Sequence, residues 1–345
     1  MEKTYSAAVI GLGFIGAGDQ VSGDAIGQQV ANLDGTHSSA LAAHPQVRLI
    51  AGSSRDEGRR TRFAQRHEGA KIYAHWREML DAEHPDIVCI ATNSPQHAEI
   101  TIGCAEAGVR AILCEKPIAT RLADADKVIE ACRSAGTLLS VNHTRRWHPL
   151  WRIARDEIPS LGEVHHVVAQ WPSGRLGNIG THMFDATAFL LDETPVAVSG
   201  TLDLSALTDC RGSEYNDPGG WGLVHFSGGT KLFVDAGHSV KAPNTLRIVG
   251  SLGELTIRKN EARMERDSGA TRRLEIPKDR PSALYLAVDD LIGCLTHGCK
   301  PASTGEDALS ALEVVVGFHI SNRNQGKLTP LPIEGADRQF EVLIG

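Results

Sequence analysis

Ala7-Ala8-Val9-Ile10-Gly11-Leu12-Gly13-Phe14-Ile15-Gly16 is the stretch that decides the fold. A short apolar run reads as a buried strand, and Gly-x-Gly-x-x-Gly follows it without a gap. Glycines at these three places permit a tight turn and let backbone N–H groups approach a pyrophosphate closely. The motif is weak on its own and gains weight only as the first turn of an alternating β/α domain. Gly11, Gly13, Phe14, Ile15 and Gly16 are therefore candidate dinucleotide contacts.

That alternation is present downstream. Val47–Ala51, Ile87–Ala91, Ala111–Cys114 and Thr137–Val141 read as further strands, and Ala98–Ala107 and Leu122–Ala135 carry helical periodicity. Strands alternating with helices imply a parallel sheet covered on both faces, a Rossmann-type domain over residues 1–145. From Gly162 the pattern changes to Gly162–Trp171, Trp221–Phe226, Lys231–Ala236, Leu246–Val249 and Glu254–Arg258, with Gly228-Gly229 as a hairpin turn. Helices are expected near 179–191, 282–297 and 305–319. Residues 146–345 thus read as an α+β domain for substrate and oligomerisation on a mainly antiparallel sheet, with packing of its C-terminal segment back on the first domain as the alternative.

The bulk numbers narrow the function. A chain of 345 residues, 41% hydrophobic and 22% charged, is ordinary for a globular protein and long enough for two domains. The net charge of −7 without a basic block argues against nucleic acid or anionic membrane as partner. The N-terminus lacks the apolar region and cleavage site of a signal peptide, and no run of about 18 apolar residues occurs, so a cytoplasmic protein is expected. Seven scattered cysteines without a Cys-x-x-Cys pair read as buried reduced thiols. Cys294 and Cys299 flank His297, but the spacing and ligand number are wrong for zinc, and no metal site is expected.

Two features modify the dinucleotide reading. Residues 17–36 are polar and carry Gly18, Gly23, Gly27 and Gly35 where a plain Rossmann helix would begin, so an insertion of roughly 15–20 residues is expected there. Asp34 falls in a turn within it. The second strand ends in Gly52-Ser53-Ser54-Arg55, with Arg59 and Arg60 one turn on. An acidic residue at this strand end would bond the ribose hydroxyls of NAD; Ser54 and Arg55 suit a 2′-phosphate instead. NADP(H) is favoured over NAD(H), with Asp56 as the residue that would serve NAD.

Ala91-Thr92-Asn93-Ser94-Pro95 with His97, then Cys114-Glu115-Lys116-Pro117, then Gly180-Thr181-His182-Met183-Phe184-Asp185, together resemble the glucose–fructose oxidoreductase / inositol dehydrogenase / MocA family. Lys300-Pro301, Gly305-Glu306-Asp307-Ala308 and Leu331-Pro332 extend the resemblance over nearly the whole chain. It implies a Rossmann domain followed by an open-faced sheet domain, a nicotinamide in the cleft between them, and a homodimer or homotetramer packed through the outer sheet face. It also implies Lys116 as the family's lysine, often before a cis bond to Pro117, and His182 as its catalytic histidine. Thr92, Asn93, Ser94, His97, Glu115, Lys116 and Pro117 are then candidate cofactor contacts.

The chemistry of these groups agrees with the resemblance. Oxidising a secondary alcohol needs a base near neutral pKa, which His182 supplies, and a donor to the developing alkoxide, which Lys116 supplies. Where many dehydrogenases of the family carry Asp four residues before the histidine, this chain has Asn178, which can orient a hydroxyl but cannot take a proton. Asp185, one helical turn after His182, could hold the ring or face the core. Asn142, Arg145, Arg146 and Trp147 follow the last Rossmann strand; Asn142 and Arg146 join the cofactor candidates. Trp171, Arg175, His238 and Tyr285 complete the substrate candidates with Lys116, Asn178 and His182, the last two of the four being assigned to the second domain. The expected activity is hydride transfer between a nicotinamide and a small sugar, sugar derivative or cyclitol. A redox-neutral glycosidase-like enzyme and a non-enzymatic cofactor sensor are the alternatives.

Overall fold

The computed structural model describes residues 3–20, 35–172, 174–205, 215 and 217–344. Most of the insertion expected at 17–36, with Asp34, lies outside them, as does Cys210. The chain forms two compact units, Met1–Trp147 with Pro281–Glu306, and His148–Arg280 with Asp307–Gly345.

The first unit is built on six parallel strands: β1 (Tyr5–Ile10), β2 (Val47–Ser53), β3 (Lys71–Tyr73), β4 (Ile87–Ile90), β5 (Ala111–Cys114) and β6 (Leu138–Val141). Their order is β3-β2-β1-β4-β5-β6. The chain runs outward from β1 to β3 and then resumes on the other side at β4, which leaves a crevice at the carboxyl ends of β1 and β4 where open α/β sheets bind ligands. β4 and β5 are buried on both faces, as their unbroken apolar sequence requires, and β1 is buried except at Ser6. Ala7, Val9, Ile87, Cys89, Ala111 and Leu113 share a core with Leu284, Ala287, Val288, Leu291 and Ile292. These last five line one face of the helix Ala283–His297. Burying that apolar stripe draws Pro281–Glu306 out of the second half of the sequence and into the first unit.

Among the described residues, two helical pieces follow the glycine turn. One turn, Phe14–Ala17, ends at Gly18 with φ 68. The second, His37–Ala43, starts behind a capping box in which Thr36 and Ser39 satisfy each other's backbone N–H. Asp19, just past Gly18, is buried and takes a bidentate ion pair from Arg62 at 2.7 and 2.9 Å. Arg66 bonds the Ala17 carbonyl. Arginines from the helix Glu57–Arg66 therefore fix the point where the chain leaves the glycine turn.

The second unit carries nine strands: β7 (Val164–Gln170), β8 (Pro195–Asp203), β9 (Gly219–Phe226), β10 (Lys231–Asp235), β11 (Thr245–Gly250), β12 (Gly253–Arg258), β13 (Glu261–Arg266), β14 (Thr271–Leu274) and β15 (Thr329–Pro330). They form one sheet in the order β14-β13-β12-β11-β7-β10-β9-β8-β15. Every pairing is antiparallel except β7 with β10. The hairpin between β9 and β10 turns at Gly228-Gly229, with Gly229 at φ 94.

One face of this sheet is buried. Phe318, from the helix Gly305–Arg323, lies over Gly200 and Gly222, where a side chain would collide with its ring, and stacks on Phe184 of the helix Gly180–Leu191. The opposite face leaves Trp221 and Phe233 exposed. Among the described residues no helix is long and apolar enough to cross a membrane.

Candidate functional site

The glycine turn is built as a cradle. Gly11 sits at φ 94, its N–H bonded to the Ser53 carbonyl at 2.9 Å, and a Cβ there would collide with the carbonyl of Ala91. A Cβ on Gly16 would collide with the Gly11 carbonyl and come within 3.1 Å of Ala91 Cβ. Neither position holds any other residue without moving backbone. The first intrahelical bond of the following turn is Ala17 N–H to Gly13 O. The N–H groups of Phe14, Ile15 and Gly16 consequently have no acceptor within the helix. A side-chain-free turn closed against the end of β4, with amide donors at a helix start, fits a pyrophosphate.

At the end of β2, Ser54 donates its N–H to Tyr73 O, and its own carbonyl and that of Arg55 both accept from Arg60 Nη1. Arg60 is thus spent on backbone, and Arg62 is spent on Asp19 with Arg59 3.6 Å from the same carboxylate. Asp56, the residue that would serve NAD, caps the helix Glu57–Arg66 by accepting Arg59 N–H at 2.8 Å. Arg55 projects exposed.

Glu115-Lys116-Pro117 leaves the carboxyl end of β5, and the Lys116–Pro117 bond is cis. Lys116 is half-buried. Its neighbours are braces. Glu115 Oε1 accepts from Asn142 Nδ2 at 2.6 Å and lies 2.8 Å from His37 Nε2, a fully buried ring. His97 is also sealed, its Nδ1 2.7 Å from the Pro117 carbonyl and its Nε2 2.9 Å from the Thr92 carbonyl. Carbonyl oxygens only accept, so satisfying both takes an imidazolium. Burial outweighs those two bonds and lowers the His97 pKa.

The side chains of His97, Glu115 and Asn142, expected as cofactor contacts, bond to backbone carbonyls, to His37 or to each other. Asn142 keeps Oδ1 without a partner among the described residues, and Thr92 likewise keeps Oγ1. Arg146 is buried and donates to the Ala302 carbonyl at 3.0 Å. Asn93 is exposed, and Ser94 is buried in the one-turn helix that follows.

In the second unit, His182 is the third residue of the helix Gly180–Leu191 and is half-buried. Asp185, one turn on, is buried. Asn178 is half-buried in the approach to the helix. The backbone there is held by a residue the sequence did not flag. Asp217 accepts Gly177 N–H at 2.6 Å and Asn178 N–H at 2.7 Å, one on each oxygen. Just upstream Arg175, exposed, stands at φ 61, and its carbonyl accepts from Ile179 and Gly180. A non-glycine residue there is uncommon and strained.

Burial sets one substrate candidate inside the core, and another lies in a different unit from the one expected. Trp171 is fully buried with its edge on Phe184, ring centroids 5.9 Å apart, so it has no face for a sugar. Tyr285 belongs to the first unit, on the helix Ala283–His297, against His44 at 5.3 Å. His238 is in the second unit, with both ring nitrogens buried and without partners among the described residues. Among those residues no three His, Cys, Asp or Glu side chains gather as metal ligands; Cys294 and Cys299 stand with sulfurs 2.8 Å apart.

Comparison with known proteins agrees with the architecture. Residues 6–143 match the model of an oxidoreductase family with an NAD-binding Rossmann fold, and residues 136–256 match the C-terminal domain of the same family. The D-apiose dehydrogenase of Paraburkholderia graminis is 28% identical, covering 93% of this chain and 88% of that protein. Inositol 2-dehydrogenase 2 of Saccharopolyspora erythraea is 26% identical, covering 74% and 73%. Among solved structures, the aldose-aldose oxidoreductase of Caulobacter crescentus superimposes with a TM-score of 0.80 at 22% identity, covering 95% of this chain and 100% of that one.

Proposed function

The chain belongs to the glucose–fructose oxidoreductase / inositol dehydrogenase / MocA family of oxidoreductases acting on CH–OH groups, and from that premise we propose that it interconverts a secondary alcohol and a ketone on a small sugar, sugar derivative or cyclitol. The observation that carries the reading lies within the first unit. The glycine cradle ends β1, Lys116 leaves the end of β5, and β4 between them closes the switch-point crevice. Gly11, Gly13, Phe14, Ile15 and Gly16 would hold the pyrophosphate, with Thr92, Asn93 and Ser94 at the neighbouring strand end.

A bound nicotinamide supplies the acceptor or donor of hydride. The chain's own groups handle the oxygen and its proton. In oxidation His182 takes the hydroxyl proton, and Lys116 donates a hydrogen bond to the same oxygen, opposing the charge that develops on it. In reduction His182 returns the proton. Asn178 replaces the family's carboxylate and orients a hydroxyl without stabilising an imidazolium. That leaves the charge-balancing role to groups outside the Asn178–His182 turn. The names of the relatives support a polyol-sized substrate: one is a dehydrogenase of D-apiose, another of inositol.

NADP(H) is the favoured cofactor. Asp56 Oδ1 is engaged as a cap, Arg60 and Arg62 are bonded within the protein, and Arg55 is exposed at the strand end. Arg55→Ala is expected to weaken NADP(H) by about 1.5–3 kcal/mol, the worth of a hydrogen bond to a charged group, while leaving NAD(H) unchanged. Fluorescence titration with both cofactors measures this; equal losses for the two would remove Arg55 from 2′-phosphate recognition.

A further inference from the structure

Cys294 and Cys299, whose spacing does not suit zinc, are brought together by the way their helix ends. Cys294 lies in the last turn of the helix Ala283–His297. Gly298 stops that helix at φ 70, with its N–H bonded to the Cys294 carbonyl at 2.9 Å. A left-handed glycine in such a cap reverses the chain and sets the next residue over the last turn, a place ordinarily filled by an apolar contact. Here both members of that contact are cysteines, and their sulfurs stand 2.8 Å apart. We propose that they form a modification site for hydroperoxides, in which Cys299 is the sulfur first oxidised and Cys294 closes on it as a disulfide. The site lies outside the residues assigned to the dehydrogenase reaction and does not depend on that reading.

The fold holds the pair on both sides. Upstream stands the cap bond of Gly298. Downstream the chain is fastened again at Ala302, whose N–H is bonded to Asp290 Oδ2 at 2.8 Å, and at Ser303, whose hydroxyl donates to the Val141 carbonyl at 2.7 Å. Asp290 belongs to the same helix as Cys294. The segment carrying Cys299 is therefore tied to that helix at each end, and closing the sulfurs to a bond of about 2.05 Å needs only a small side-chain movement.

Exposure divides the roles. Cys299 is open to solvent, whereas Cys294 is 1% exposed. Cys89, Cys104, Cys114 and Cys132 are buried as well. Burial, then the adjoining Cys299 thiol and the charge of Asp290, push Cys294 up to about 12. It keeps its proton near neutral pH and does not start the reaction, since the thiolate is the nucleophile. In the first step the Cys299 sulfur attacks the peroxide; an S–O bond forms, the O–O bond breaks, and the thiol proton leaves with the alcohol or water released. In the second step the Cys294 sulfur displaces the hydroxyl of the Cys299 sulfenic acid, and the Cys294 proton departs with it as water. Two thiols lose two electrons and two protons, and one peroxide is reduced.

The full-length protein, reduced and then freed of reductant, is treated with hydrogen peroxide at a dose that converts free cysteine to cystine. Remaining thiols are blocked with iodoacetamide, and unreduced peptides are read by mass spectrometry. The peptide carrying both cysteines is expected to be lighter by two hydrogens and to accept two alkyl groups only after dithiothreitol. In Cys294→Ser, Cys299 is expected to pass on to sulfinic and sulfonic acid, because no neighbouring thiol intercepts the sulfenic acid. In Cys299→Ser, a change at an exposed position, Cys294 is expected to stay a free thiol. A wild-type peptide that still alkylates at both cysteines overturns the proposal, whether or not the variants fold. So does wild-type Cys299 that reaches sulfinic acid as fast as in Cys294→Ser, or Cys294 that oxidises equally in Cys299→Ser.

Discussion

His182→Ala is expected to lower turnover by about 10²–10⁴-fold, the usual contribution of one positioned acid–base group, with cofactor affinity nearly unchanged. The imidazole is the neutral-pH base proposed for the hydroxyl proton, and it belongs to the second unit, whereas the glycine cradle belongs to the first. Loss of the base therefore should not disturb the residues proposed to hold the pyrophosphate. Because Asn178 cannot accept a proton in its place, no neighbour four residues away rescues the variant. Turnover and fluorescence titration on the same preparation separate the two effects. Unchanged turnover would remove His182 from the mechanism; a parallel loss of cofactor binding would indicate damage to the fold instead.

Gly16→Ala is expected to abolish cofactor binding at ordinary concentrations and to destabilise the first unit by about 1–3 kcal/mol, the range for overpacking a filled site. The added methyl would meet the Gly11 carbonyl and Ala91 Cβ. Neither can retreat freely: Gly11 is bonded through its N–H to Ser53, and Ala91 N–H is bonded to Ile10 at 2.7 Å. Gly293 is the control, lying inside the helix Ala283–His297 with open space at its Cβ position. Gly293→Ala should be neutral or stabilising by roughly 0.5–1 kcal/mol. Thermal melts and cofactor titration of both variants decide it, and normal binding in Gly16→Ala would show that the turn does not act as the pyrophosphate cradle.

Much of this was readable because the signals are local. The strand before Gly11, the glycine spacing and the apolar runs of β4 and β5 each lie within a few residues. Five of the six strands of the first sheet follow from them, whereas Lys71–Tyr73, three residues long, does not. The strands that escaped notice are those in which polar side chains dominate, such as Glu261–Arg266 and Thr271–Leu274, where exposed arginines and glutamates hide the alternation of Ala262 and Met264. Pro195–Asp203 was missed for a related reason, beginning with proline and carrying Gly200 at its centre.

The site was legible only in its motifs. Lys116 and His182 announced themselves by sequence neighbours, but the residues that hold their surroundings come from far away. Asp217 reaches Gly177 and Asn178 across some forty residues, and His37 reaches Glu115 across 78. Polarity also misled where burial decided the matter. Trp171 and His97 look like ligand-facing groups in a list of residue types, yet both are sealed in their units. Tyr285 was assigned to the wrong unit because the helix that carries it follows the sheet strands in sequence but buries its apolar stripe on the first core.

The most direct test of the central claim follows nicotinamide absorbance with purified, cofactor-stripped protein. NADP and NAD are offered with a panel of sugars, glycosides and inositols, and the reduced cofactors with keto-sugars. The account predicts turnover with at least one polyol or its ketone, faster with NADP(H) than with NAD(H). Tight cofactor binding without net oxidation or reduction of any member would contradict it.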